Sequence, residues 1–292
     1  MSQSPSPLDV LCFGETMIRF TPQLYERFQQ TSLIEAHVGG SESNTAVGLS
    51  RLGLAVAWFS RLTDNPLGRK IEQAIAAHGV DTSTVAWTDH DRVGTYYMER
   101  GVEPRGSQVY YDRAASAMCF LSKEDFPSLL LDASQLRCLH TTGITLGISE
   151  QSRDVSLDIL TQAKAAGVTI SFDVNYRARL WEAKPAAETC AQVAKLADLI
   201  FIPRRDANNL YGIQGKKLQD CAQSLHELWP NATIALTAGA EGAAVISPEG
   251  KYVPQEAFLA EPVERLGGGD AFSAGFLSAW LKGMSLELSL RW

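Results

Sequence analysis

Residues 8–13 (Leu-Asp-Val-Leu-Cys-Phe) form a short apolar run closed by Gly14-Glu15, and its length and composition predict a buried strand. From residue 17 to 38 the apolar positions thin to an alternation through Ile18, Phe20, Ile34, Ala36 and Val38, which fits half-buried strands better than a helix. Gly39-Gly40-Ser41-Glu42-Ser43-Asn44 then opens a helix running through Ala46, Val47, Leu49 and Leu52 and stopping at Gly53. A strand follows over 54–60, and a helix over 66–78 ended by Gly79. Residues 92–113 are strand-like, with a polar turn (Glu103-Pro104-Arg105-Gly106) that makes a hairpin. Beyond them the alternation is regular: strands over 138–142, 168–174, 199–202 and 233–237, helices over 151–166, 185–197 and 218–229, and a hairpin from 243–247 and 251–253. Phe272, Phe276 and Trp280, four residues apart, mark a last helix.

Strands alternating with helices of this length predict right-handed crossovers and a mainly parallel central sheet with helices on both faces. The expectation is one α/β domain over 1–292, with a small antiparallel β lid formed by about 16–38 and 92–115. At 292 residues, 45% hydrophobic and 20% charged, the chain is long enough for such a core. A net charge of −7 argues against non-specific nucleic-acid binding and leaves no polybasic membrane patch. The five cysteines are scattered and never paired as Cys-x-x-Cys, which reads as reduced core thiols. No apolar leader or membrane-length run is present, so a soluble cytoplasmic protein is expected.

In sheets of this kind ligands sit beyond the carboxyl ends of the strands, so the loops there are where chemistry is sought. The most distinctive stretch is Leu266-Gly267-Gly268-Gly269-Asp270. Three glycines before a helix let backbone N–H groups converge on an anion. Asp270 is the odd member. It reads either as an N-cap or as a carboxylate that accepts a proton beside the anion. No phosphate-binding Gly-x-x-x-x-Gly-Lys-Ser/Thr, dinucleotide fingerprint, Gly-x-Ser-x-Gly elbow or His-Glu-x-x-His occurs.

Residues 39–53 (Gly39-Gly40 through Leu52-Gly53) and 267–277 together resemble the two signatures of the ribokinase-like (PfkB) carbohydrate kinases. Within that family, Gly14-Glu15, residues 173–181 (Asp-Val-Asn-Tyr-Arg-Ala-Arg-Leu-Trp) and the Gly-Gly-Gly-Asp form are most similar to 2-keto-3-deoxygluconate kinases. The resemblance implies ATP-dependent phosphoryl transfer to a sugar-acid hydroxyl, with magnesium bridging the phosphates. Asp270 would be the general base, and the N–H groups of Gly267, Gly268 and Gly269 would hold the transferring oxygens. Thr237, Gly239 and Gly242 would contact the nucleotide. Arg177 would clamp the acceptor's carboxylate. Glu15, Gly39, Gly40, Asn44, Tyr96, Tyr111, Arg113 and Asn175 would complete the sugar-acid pocket. Tyr111 and Arg113 are expected on one face of a lid strand.

Three departures stand out. Pro203-Arg204-Arg205-Asp206 falls where the family carries Asn-x-x-Glu, which leaves Asp206 alone as the candidate metal residue. Glu264 stands where the family has Asp, and the sequence stops at Trp292, before the family's last helices. The rival readings are a kinase of a neutral sugar or nucleoside, and a non-catalytic binding protein on the same fold. An antiparallel lid with exposed apolar positions also points to a homodimer.

Overall fold

The computed structural model describes residues 7–260 and 266–292; Glu264 lies outside the described residues. In chain order come strand β1 (Leu8–Phe13), strands β2 (Met17–Pro22) and β3 (Ile34–Gly39), helix α1 (Ser41–Arg51), and strands β4 (Val56–Phe59) and β5 (Arg61–Thr63). Helix α2 (Pro66–Ala76) leads to β6 (Ala86–Thr88), β7 (Thr95–Glu99), β8 (Gln108–Asp112) and β9 (Leu136–Thr142). The remainder is α3 (Gly143–Gly147), α4 (Glu150–Ala165), β10 (Thr169–Asp173), α5 (Ala183–Leu196), β11 (Leu199–Pro203), α6 (Arg204–Tyr211) and α7 (Leu218–Leu228). It closes with β12 (Thr233–Thr237), β13 (Ala243–Ile246), β14 (Tyr252–Gln255), α8 (Gly268–Leu281) and α9 (Leu286–Arg291).

Eight strands form the central sheet in the order β14-β13-β12-β11-β10-β9-β1-β4, parallel from β12 to β4 and antiparallel through β13 and β14. The first strand shows why its apolar run is unbroken. Leu11 and Phe13 belong to one buried cluster and Val10 and Cys12 to the other, so both faces of the strand are covered. The predicted glycine stops at Gly53, Gly79 and Gly167 all adopt the left-handed conformation that ends a helix without a Cβ clash. All five cysteines are buried and unbonded.

A second sheet of four strands, β3-β2-β7-β8, takes residues from the two segments predicted to make the lid. Its outer pairs are antiparallel as expected, but the central pair β2–β7 is parallel. The two hairpin-like segments are separated by β4, α2 and the short β5–β6 pair, so they meet side by side rather than by a turn. Helices α3 and α6 are too short to show a period in the sequence. Pro203 caps α6, so the segment read as a motif is also the start of a helix.

Candidate active site

The helix α8 is anchored by its apolar residues: Ala274, Phe276, Leu277 and Ala279 are buried, and Phe276 meets Phe201 of β11 edge-on at 5.7 Å. Its N-cap is Gly267 at φ +78°, and Asp270 is the third helical residue, so the N-cap reading of Asp270 does not hold. A Cβ built on Gly268 or Gly269 meets nothing within 4 Å. No neighbour requires glycine there. The space beside them is open to the cavity that all three glycines line, and the N–H groups at the head of α8 lack helical partners. An anion fits this cradle.

The helix α1 supplies what holds Asp270. Gly48 permits its approach to α8, since a Cβ there would stand 2.7 Å from that of Ala274. One turn apart on the same face, Ser41 and Asn44 then reach the carboxylate. Ser41 Oγ donates to Asp270 Oδ1 and Asn44 Nδ2 to Asp270 Oδ2, each at 2.7 Å. Asn175 Nδ2 donates to Ser41 Oγ at 2.8 Å, tying the loop after β10 into the network. Asn175 takes a left-handed φ of +38°, which asparagine tolerates better than most residues. Beneath α1, Glu42 is fully buried; its Oε1 accepts from Thr142 and Thr145 hydroxyls, both at 2.7 Å. Gly14 makes room for that carboxyl, which a Cβ would meet at 2.2 Å.

Every residue predicted for the acceptor lines one cavity of about 1300 Å³: Glu15, Gly39, Gly40, Asn44, Tyr96, Tyr111, Arg113, Asn175, Arg177 and Asp270. They do not all present free groups to it. Arg113 donates to Glu15 Oε2 in a buried ion pair, and Ser116 donates to Glu15 Oε1, so both predicted contacts are matched within the wall. Asn44 donates its Nδ2 to Asp270 while the residue stays exposed to the cavity. Arg177 differs: among the described residues no carboxylate lies within ion-pair distance of it, and its one hydrogen bond is a long contact of 3.5 Å to Tyr176 O. Tyr96 and Tyr111 meet with centroids 5.8 Å apart and ring planes tilted by 34°, and Arg113 sits 6.0 Å from the Tyr111 ring, as the shared strand face predicts. Gly39 and Gly40 serve packing, since Cβ atoms there would meet Tyr96 Oη at 2.7 Å and Glu15 O at 2.5 Å.

Thr237 and Gly239 line a second cavity of about 880 Å³. Gly242, predicted beside them, does not line it; its φ of +95° and the 2.2 Å approach of a Cβ to Gln255 O make it a strand-crossing glycine. The metal assignment of Asp206 is corrected outright. Asp206 is fully buried, lines neither cavity, and accepts from Tyr176 N at 3.0 Å through Oδ2 and from Arg205 Nε at 3.1 Å through Oδ1. Among the described residues there is no cluster of three or more His, Cys, Asp or Glu able to hold a metal. The described residues thus offer no cage that would hold a magnesium ion by protein ligands alone.

Electrostatics sharpen the carboxylates. Burial pushes the Asp270 carboxyl up, opposed by the Asn44 and Ser41 hydrogen bonds and the charge of Arg177. Burial, then the charge of Asp270, pushes Asp173 up to about 8. Asp173 lines the same cavity, as do Ser41 and Arg205, and none of the three was singled out from the sequence. Ser41 was legible as the residue one helical turn before Asn44. Asp173 and Arg205 lay in segments the sequence had marked, but neither was given a role, because their placement beside the cavity depends on strand order.

A model of the pfkB family carbohydrate kinases matches residues 7–292. A 2-dehydro-3-deoxygalactonokinase of Haloferax volcanii is 35% identical over 283 residues, covering 97% of this chain and 87% of that protein. A 2-dehydro-3-deoxygluconokinase of Bacillus subtilis is 29% identical over 284 residues, covering 96% and 85%. The crystal structure of a 2-dehydro-3-deoxygluconokinase from Thermotoga maritima superposes with a TM-score of 0.89 at 28% identity, over 97% of this chain and 90% of that one.

Proposed function

Since this chain belongs to the pfkB family of carbohydrate kinases, we propose that it transfers the γ-phosphoryl group of ATP to 2-keto-3-deoxygluconate, giving 2-keto-3-deoxy-6-phosphogluconate. One observation carries the reading. Asp270 stands at the open glycine cradle of a cavity that Arg177 also lines, and no carboxylate of the described residues lies within ion-pair distance of that guanidinium, although its charge is felt by Asp270 and Asp173.

The acceptor's carboxylate pairs with Arg177, whose fork of donors suits two oxygens at once. This contact orients the distal hydroxyl toward Asp270. Each carboxylate oxygen keeps a lone pair after accepting from Ser41 or Asn44, so Asp270 takes the hydroxyl proton as the oxygen attacks phosphorus. The N–H groups at the Gly267–Gly269 turn hold the charge on the equatorial oxygens. The nucleotide lies in the cavity lined by Thr237 and Gly239. Magnesium comes with the donor's phosphates, which with water commonly supply most of its ligands.

We also read the chain as one α/β unit whose four-stranded sheet closes over the acceptor. It dimerises through the exposed apolar positions of that sheet and works in the cytoplasm, where the five free thiols stay reduced. The relative from Haloferax volcanii, named for the galactonate epimer, favours a second acceptor differing at one carbinol centre.

The test is release of ADP by purified protein across a panel holding both keto-deoxy acids, their neutral analogues, fructose, ribose and a nucleoside. Turnover is expected with the acids, and Arg177→Ala should raise their KM by about 10-fold or more, the cost of a charge-assisted contact of at least about 1.4 kcal/mol. Equal turnover of a neutral sugar, or an unchanged KM for the acid in Arg177→Ala, would sink the sugar-acid reading.

A further inference from the structure

Pro203 and Arg205 line both the Asp270 cavity and the Thr237 cavity. Strand register explains the position. Pro203, the last residue of β11, pairs with Thr237 of β12 on one side, while β10 on the other side ends in the Asp173–Arg177 loop. Any group passing from the nucleotide to the acceptor crosses this boundary. Proline offers no donor there; Arg205 is a permanent cation with a rigid fork of N–H groups.

The fork is also braced at its Nε end. Arg205 Nε donates to Asp206 Oδ1 at 3.1 Å, and Asp206 is itself fixed by the Tyr176 N–H at 3.0 Å. The Arg205 side chain remains 68% exposed while Asp206 is fully buried, so a buried carboxylate braces the root of a largely exposed guanidinium. Arg204, its neighbour, is tied down on the donor rim by Glu241 Oε2 and Gly215 O, each at 2.6 Å.

We infer that Arg205 is a catalytic residue that holds the phosphoryl group in transit, and that Asp206 is its positioning residue. The inference rests on the kinase reading above. In the step, the bond between the acceptor oxygen and the γ-phosphorus forms as the bond to the bridging oxygen of the β-phosphate breaks. ADP leaves with that electron pair, and the hydroxyl proton passes to Asp270. Charge gathers on the equatorial oxygens of the transferring group, and a guanidinium matches two of them in one plane. The residue next to Asp206, the one expected to bind metal, thus carries an organic cation.

The experiment is steady-state kinetics of Arg205→Gln, Arg205→Lys, Arg205→Ala and Asp206→Asn, using the acceptor that wild-type protein phosphorylates best, acidic or neutral. Expected is a fall in kcat of about 100-fold or more for Gln, with the acceptor KM within about twofold. Lysine should recover part of the loss as a point charge, and added guanidinium should restore turnover to Arg205→Ala. Asp206→Asn, which keeps an acceptor for the Tyr176 N–H, should lose about tenfold in kcat. A kcat for Arg205→Gln within twofold of wild type overturns the inference, and so does a loss confined to the KM for ATP or an absence of guanidinium rescue. Because the best acceptor is used whatever its charge, failure of the sugar-acid reading shows in the panel and leaves these ratios intact.

Discussion

Asp270 has its oxygens held before any ligand arrives. Ser41 and Asn44 each donate to one of them, so the proposed base is oriented by α1, whose two donors also oppose the upward push of burial. Asp270→Asn keeps the shape and loses the proton acceptor. Turnover should fall by about two to four orders of magnitude while calorimetry still registers acceptor binding, and near-normal turnover would remove Asp270 as the base. Ser41→Ala makes a finer test. Burial raises the carboxyl of Asp270 while the two donors and Arg177 lower it; the neighbouring carboxyls of Asp173 on β10 and Glu42 on α1 are themselves pushed up, by burial first and by the charge of Asp270. A base works deprotonated, so activity is lost as pH falls through its pKa. Removing one donor raises that pKa, and the acidic limb of kcat/KM against pH should move up by about one unit, equal to a charge-assisted bond of about 1.4 kcal/mol. An unmoved limb would mean that Ser41 does not tune the base.

Among the elements, β10 and the loop after it do most to join the site to the core. The strand ends in Asp173, whose Oδ1 accepts from Asn175 N at 3.1 Å, and the loop goes on through Arg177. Its carboxyl, pushed up to about 8, keeps a proton in the folded chain that an unfolded carboxyl releases near pH 4. Between those two values the folded state binds more protons, so stability falls as pH rises. Asp173→Asn retains an oxygen for the Asn175 N–H and abolishes the titration. Its unfolding midpoint should exceed that of wild type by several degrees at pH 8, at about 2–4 °C per kcal/mol, and converge with it near pH 4. A constant gap across that range would assign the effect to packing.

At the scale of the molecule, the site lies where two sheets meet. The central sheet supplies strand ends; the four-stranded sheet supplies Tyr96 and Tyr111 and is held to the body by the Glu15–Arg113 pair and by Arg179, which donates to Val109 O. Its outer strand β3 leaves Ile34 51% exposed, and the turn before it leaves Leu24 75% exposed. An apolar edge strand of this kind is a template for association. Sedimentation is expected to give a dimer, and Ile34→Asp to shift it toward monomer at micromolar protein. A monomeric wild type at that concentration would exclude the lid as an interface. Among the described residues no helix is long and apolar enough to cross a membrane.

The periodicity of the chain determined the order of the main strands and helices, because buried parallel strands and glycine-stopped helices leave local marks such as residues 8–13 and Gly53. Glycine spacing marked Asp270 for the same reason: a turn with open space beside its backbone is written in consecutive residues. The partners of those residues are not local. Arg113 was legible as a cation, but whether its charge was spent depended on Glu15, 98 residues away. Asp206 looked like a metal ligand until the fold buried it against Tyr176 N. Arg205 acquired its place only when β11 came to lie between β10 and β12. The sequence by itself thus determined which chemistry was available, since composition and spacing fix residue types along the chain. Which groups remain uncompensated was decided only by the tertiary structure, because charge pairing, burial and strand order act between residues distant in sequence.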